Sequence, residues 1–97
     1  MTRLISKKMT ETALKGQIKD YLAYRGIFNY PLLQGLGAKR GLPDRVMHLN
    51  GRVIYLELKL PTGKLSEGQL EFQAQCEEDG IGYFVIRSIE DMEKMLG

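Results

Sequence analysis

Asn50-Gly51 is the feature that most limits what this chain can fold into. The pair separates Gly41-Leu-Pro-Asp-Arg-Val-Met-His-Leu49 from Arg52-Val-Ile-Tyr-Leu-Glu-Leu-Lys59, two segments rich in strand-forming residues. A two-residue type I′ turn needs positive φ at both central positions, which asparagine and glycine tolerate, so an antiparallel hairpin is predicted over residues 44–60. The turn fixes the register. Leu49 faces Arg52, Val46 faces Tyr55, and Asp44 faces Glu57. Directly opposed side chains have Cβ atoms about 4.5–5.5 Å apart. Two carboxylates at that spacing repel each other unless a cation lies between them.

Side chains alternate along a strand, so Val53, Tyr55, Glu57 and Lys59 share one face, while Ile54, Leu56, Leu58 and Leu60 form an apolar core face. Asp44, Glu57 and Lys59 therefore gather at the open end of the hairpin. Oxygen ligands of this kind suit Mg²⁺ or Mn²⁺ better than zinc. The plainer alternative is a strand-face ion pair between Glu57 and Lys59, with Asp44 a turn residue after Pro43. His48 falls on the Asp44 face four residues along and reads as a surface or packing residue near the turn. Tyr55 reads as packing that borders the site.

Gly-Leu-Pro-Asp at 41–44 followed by Glu-Leu-Lys at 57–59 resembles the signature of the PD-(D/E)XK restriction-endonuclease-like superfamily. Within it, the chain is similar to the VRR-NUC (virus-type replication-repair nuclease) family. Four further features carry this resemblance: Glu11 early in a first helix, the Gly-x-Pro-Asp spelling, the run from Lys59 to Gln69, and a closing strand from Tyr83 to Ser88. The resemblance implies a divalent-metal-dependent DNA endonuclease. Asp44, Glu57 and the Leu58 backbone carbonyl would hold Mg²⁺ or Mn²⁺, Glu11 would be an outer or second-metal ligand, Lys59 would stabilise charge, and Gln69 would orient water or phosphate. It also implies branched DNA, including four-way junctions, as substrate, a homodimer whose two sites cut two strands, and a setting in bacteria or phage-infected cells. A monomer nicking flaps or single strands is the alternative, and a non-catalytic DNA-binding module on the same fold is a second.

The remaining elements follow from local signals. Thr10 is an N-cap for a helix over about residues 10–25, with Leu14, Ile18 and Leu22 at helical spacing. Glu11 extends that stripe, and two readings stay open: a first-turn charge favoured by the helix dipole and paired with Lys15, or a carboxylate directed at the metal. Ile27 to Tyr30 reads as a short strand stopped by Pro31. Residues 34–42 are glycine-rich and basic, so they read either as a flexible connector or as a segment allowing close backbone approach to another chain, with Lys39 and Arg40 offsetting phosphate charge. They contain no Gly-Lys-Ser/Thr run, so a nucleotide phosphate loop is not expected. Ser66 and Gln69 form a capping box opening a helix to about Asp79, which alone accounts for Gln69. Leu70, Phe72, Ala74 and Cys76 are its available packing residues. Gly80 and Gly82 end it before Tyr83–Arg87, an apolar run that suits a central strand returning parallel through the helix crossover. Ser88 opens a last short helix. The predicted fold is α/β, a small mixed sheet flanked by helices in the order α-β-β-β-α-β-α.

Ninety-seven residues make one domain, 1–97, with residues 1–8 a loose basic arm. A chain this small buries only about 60–65% of its unfolded surface, which is compatible with pairing. The formal charge of +2 does not announce nucleic-acid binding. Local clusters matter more, and Lys39, Arg40 and Lys64 are the candidate phosphate contacts around the site. No aromatic stacking pattern is legible on any one strand. The single cysteine excludes an intramolecular disulfide and a zinc cluster, and with no signal-peptide run or membrane span the expectation is a cytoplasmic protein.

Overall fold

The computed structural model describes residues 9–97, and the basic arm expected at 1–8 lies outside the described residues. Thr10 caps the first helix, α1 (Glu11–Tyr24), its hydroxyl accepting from the Ala13 N–H at 3.0 Å. Leu14, Ile18 and Leu22 are the buried residues of α1. Gly26, at φ 68°, turns the chain out of the helix.

The strands follow as β1 (Asn29–Pro31), β2 (Arg45–Leu49) and β3 (Arg52–Leu58), then α2 (Glu67–Asp79), β4 (Gly82–Ile86) and α3 (Ile89–Leu96). This is the predicted α-β-β-β-α-β-α order. Asn50 and Gly51 both have positive φ, 52° and 77°, and the expected register holds: Leu49 pairs with Arg52 and Val46 with Tyr55. The sheet order is β1-β2-β3-β4, with β1–β2 and β2–β3 antiparallel and β3–β4 parallel. Pro31 is the last residue of β1, which stops there as expected; β1 is an edge strand, so the missing N–H costs no ladder bond.

β4 differs from expectation. It is an edge strand rather than a central one, although α2 packs on it and α3 adjoins it. Its apolar run is half-buried, and Phe84 stays 41% exposed.

One face of the sheet carries the core. Met47, Ile54, Leu56, Leu58 and Ile86 pack with Leu14, Ile18 and Leu22 of α1 and Met92 of α3. The other face is covered by α2, whose Phe72 stands edge-on to Tyr55 at 5.1 Å and tilted against Tyr83 at 6.2 Å. Leu70 and Ala74 point outward instead of packing. Helical spacing explains this: Gly68, Phe72 and Cys76, four residues apart, form the stripe facing the sheet, and residues two positions off it do not. Cys76 is buried, as a small hydrophobe, and burial pushes its thiol pKa up.

Candidate active site

Three segments converge where β2 begins and β3 ends. Pro43 is buried and delivers Asp44, the residue just before β2. The β2–β3 pairing ends one residue later, at Arg45 and Leu56, and the Asp44 carbonyl accepts from the Leu32 N–H at 2.9 Å. Its carboxylate Oδ2 accepts from the Leu58 N–H at 2.7 Å, and Oδ1 lies 3.4 Å from Lys15 Nζ. Glu57, next to Leu58 on the opposite face of β3, is only 2% exposed and is the one buried charged residue among those described.

Glu57 is held from α2. The Gln69 residue satisfies both halves of the capping box: its Oε1 accepts from the Ser66 N–H at 2.8 Å, and the Ser66 hydroxyl accepts from the Gln69 N–H. With Oε1 committed to the cap, Nε2 has to point the other way. It donates to Glu57 Oε2 at 3.1 Å. Capping and site contact, which the sequence offers as alternatives, are therefore two ends of one amide.

The loop that carries Asp44 is positioned by two glycines. Gly41 has φ 75°, and a Cβ there would stand 2.1 Å from the Gly68 carbonyl oxygen. The close approach permitted by the glycine-rich loop is thus to the chain's own helix α2. Gly68 in turn leaves room for Arg40, whose Cγ would lie 2.9 Å from an added Cβ. Arg40 reaches Glu71 at 2.9 Å and Glu67 at 3.9 Å, so this candidate phosphate contact is paired within the chain. Lys39 and Lys64 are both exposed.

Lys59 prolongs β3, its N–H donating to the Ile86 carbonyl at 3.1 Å. The turn after it is clamped by Arg87, which donates to the carbonyls of Leu60 and Gly63 at 2.6 and 2.7 Å. Lys59 is half-buried and close enough for its charge to act on Glu57.

Burial pushes the Glu57 pKa up to about 8, and the neighbouring Asp44 carboxylate adds to the rise; Lys59 and Lys15 oppose it. Two carboxylates sharing one site cannot both ionise cheaply, so one keeps a proton. The Tyr83 hydroxyl is buried without a partner, and burial and then the Glu57 charge raise its pKa.

The expected ligand set is only partly assembled. Asp44 and Glu57 are together, and Leu58 is tied to them through its backbone N–H. Glu11 is exposed in the first turn of α1 and enters none of the cluster's hydrogen bonds or ion pairs. One turn further on, Lys15 takes the place at Asp44, not at Glu11 as the sequence allowed. Among the described residues no group of three or more His, Cys, Asp or Glu side chains forms a metal cage. The pair that is present nonetheless fits a divalent cation: Glu57 Oε1 is buried with no hydrogen-bond partner beside a second carboxylate. A cleft of about 260 Å³, lined by Lys15, Leu33, Gln34, Asp44, Arg45 and Leu58, opens onto Asp44.

Lys15 is the site residue that sequence reasoning missed. Its spacing of three from Ile18 and one from Leu14 marks the edge of the buried stripe, a signal open to any long cation lying along a helix.

Comparison with family models, with curated proteins and with solved structures finds no match to this chain. The resemblance therefore rests on the residues of the chain alone.

Proposed function

We propose that this protein is a divalent-metal-dependent deoxyribonuclease that hydrolyses phosphodiester bonds in branched DNA. The observation that carries the reading is the buried Glu57 carboxyl beside Asp44, with one oxygen left without a partner and Lys59 close by. A purely structural ion pair gains nothing from a carboxylate oxygen buried without a partner, which costs about 1–3 kcal/mol, whereas a bound cation would satisfy it. The spelling Gly41-Leu-Pro-Asp44 and Glu57-Leu-Lys59 supports the same reading.

Asp44 and Glu57 would hold Mg²⁺ or Mn²⁺, with the Leu58 carbonyl as a further oxygen. When bound, such a cation supplies an acidified water and polarises a phosphoryl oxygen. Gln69 keeps Glu57 in one rotamer and the capping box keeps Gln69 in place, so the carboxylate does not have to be ordered when substrate arrives. Lys59 offsets negative charge accumulating on the phosphate, and burial of its stem in the Arg87-clamped turn makes that charge act through a low-dielectric path. Lys15 balances Asp44 and lines the cleft through which a phosphate would enter. Catalysis on paired strands of a junction calls for two such sites and hence a homodimer.

A single-strand or flap nuclease acting as a monomer is the second reading. The exposed rings of Phe28 and Tyr30, at the β1 edge of the sheet, favour it. The test is cleavage of end-labelled four-way junction, 5′-flap, single-stranded and linear duplex DNA with Mg²⁺, Mn²⁺ or EDTA. Metal-dependent cutting of a branched substrate supports the proposal. Absence of cutting on all four substrates refutes it.

A further inference from the structure

α2 covers only half of its side of the sheet. It packs on β4 and reaches Tyr55 of β3 through Phe72. Over β1 and β2 the same side exposes Phe28, Tyr30 and His48, while Val46 beneath Tyr30 is buried. Phe28 lies opposite His48, whose N–H donates to the Phe28 carbonyl at 2.9 Å, and their ring centroids are 4.8 Å apart. Tyr30, two residues on and paired with Val46, stands edge-on to Phe28 at 5.9 Å. Phe28 is 62% exposed, Tyr30 44% and Val53 47%. The rings come from two strands separated by a loop, so no single stretch of sequence displays them.

We propose that this open half-face, built on Phe28, Tyr30 and His48, is a stacking platform for single-stranded DNA that leads into the Asp44–Glu57 site. The inference deepens the nuclease reading and rests on it for the destination of the strand.

Three observations select this occupant. The first is continuity. Along β1 and β2 the order is Phe28 beside His48, Tyr30 beside Val46, then Leu32 bonded to Asp44. His48 and Asp44 are four residues apart on one face, about 13 Å at strand rise, a span of a few extended nucleotides. The second is charge. By register the strands on this side carry Phe28, Tyr30, Val46, His48, Val53 and Tyr55 and no carboxylate until Asp44 and Glu57; beside Tyr55, Lys39 and Arg40 stand with Glu71 and Asp79 of α2. Between Phe28 and Asp44 the strands themselves set no acid against a phosphate backbone. The third is size. An aromatic side chain carries about 150–250 Å², so two rings at these exposures offer on the order of 200 Å². A specific protein interface needs about 800 Å² on each partner. The patch is too small for the centre of a dimer and large enough for two or three unstacked bases.

Bases splayed from a flap or an opened branch stack on these rings without sequence preference, because every base has a π-face. A blunt duplex offers no such face except at its ends. The platform therefore favours DNA with a single-stranded segment over intact duplex.

The chain has no tryptophan, so Phe28→Trp places one reporter on the platform. Titration with oligothymidine in EDTA, where no cleavage occurs, is expected to quench the introduced indole saturably, and a closed duplex hairpin is expected to leave it unchanged. In parallel, Phe28→Ala with Tyr30→Ala is expected to weaken oligothymidine binding by about fivefold for each ring, roughly thirtyfold together, by fluorescence polarisation. Phe28→Tyr is expected to keep the affinity. The rings are exposed, so the melting temperature of the alanine variant is expected to stay near that of the parent. Absence of quenching, or unchanged affinity in the double-alanine variant, overturns the platform. So does a change of sedimentation state in that variant with DNA binding intact, which would make the patch a contact between copies. Because binding is read without metal, intact cleavage with no stacking refutes only the platform, and stacking with no cleavage refutes only the nuclease reading.

Discussion

Glu57→Gln isolates the charge conflict at the heart of the site. In the metal-free protein the Glu57 pKa stands near 8, against 4.5 when unperturbed. The unfolded chain therefore releases this proton at lower pH than the native one. Between those values the native state binds more protons than the unfolded state, so stability falls as pH rises. The contribution is fully present below about pH 4.5 and is lost by about pH 8. At 1.36 kcal/mol per pH unit the full displacement would be worth about 5 kcal/mol; Asp44 and Glu57 share the conflict, so about 2–3 kcal/mol is lost when both ionise. For a domain of this size that is a fall in Tm of at least about 8 °C between pH 5 and pH 8.5. The substituted amide cannot ionise, yet its oxygen can still accept from Gln69 and its N–H can replace the carboxyl proton facing Asp44. The variant is expected to lose the pH slope and to melt above the parent at pH 8.5. Differential scanning fluorimetry across pH 5–8.5 measures both. Parallel curves for parent and variant would show that Glu57 ionises freely and that no carboxylate conflict exists.

Mn²⁺ substitutes for that proton, so it is expected to raise the parent's Tm at pH 8 in proportion to the logarithm of its concentration and to leave Glu57→Gln nearly unmoved; the same fluorimetry reads it. Gln69→Ala removes the cap at Ser66 and the bond to Glu57 together, with an expected cost of about 1–2 kcal/mol in urea unfolding and a loss of cleavage larger than the loss of stability explains. Gly41→Ala combines positive φ with a backbone clash against Gly68, and a loss of more than about 2 kcal/mol is expected by the same assay. Gly16→Ala, in the middle of α1 with open space around it, is expected to stabilise by up to about 1 kcal/mol.

Legibility differs between the hairpin and the rest of the site for a physical reason. Asn50-Gly51 allows one turn, and one turn allows one register, so the meeting of Asp44 with Glu57 follows from local chemistry. The capping box at Ser66 and Gln69 is equally local, but the reach of the Gln69 amide to Glu57 depends on where α2 lands on the sheet. Lys15 escapes notice because pairing between a helix and a distant loop has no sequence period, and Glu11 shares the helical stripe without sharing the approach to Asp44. β4 reads as central because a run of Tyr, Phe, Val and Ile looks alike whether a neighbouring strand or a pair of helices covers it. The aromatic half-face is invisible for a similar reason: its rings are assembled by strand pairing across the loop between β1 and β2. Among the described residues no helix is long and apolar enough to cross a membrane, as the hydropathy of the sequence indicates.

The most direct measurement of the central claim is cleavage of the preferred branched DNA by the parent protein, Asp44→Asn and Lys59→Ala, at equal folded concentration with Mg²⁺. The parent is expected to cut the DNA, and EDTA to abolish the cutting. Loss is expected to be at least about a hundredfold in each variant, the usual effect of removing a charge that acts in the transition state. Mn²⁺ binding is expected to be weakened by Asp44→Asn and kept by Lys59→Ala. Equal cutting by all three proteins, or Mn²⁺ binding indifferent to Asp44, would contradict the assignment and leave the hairpin as scaffold.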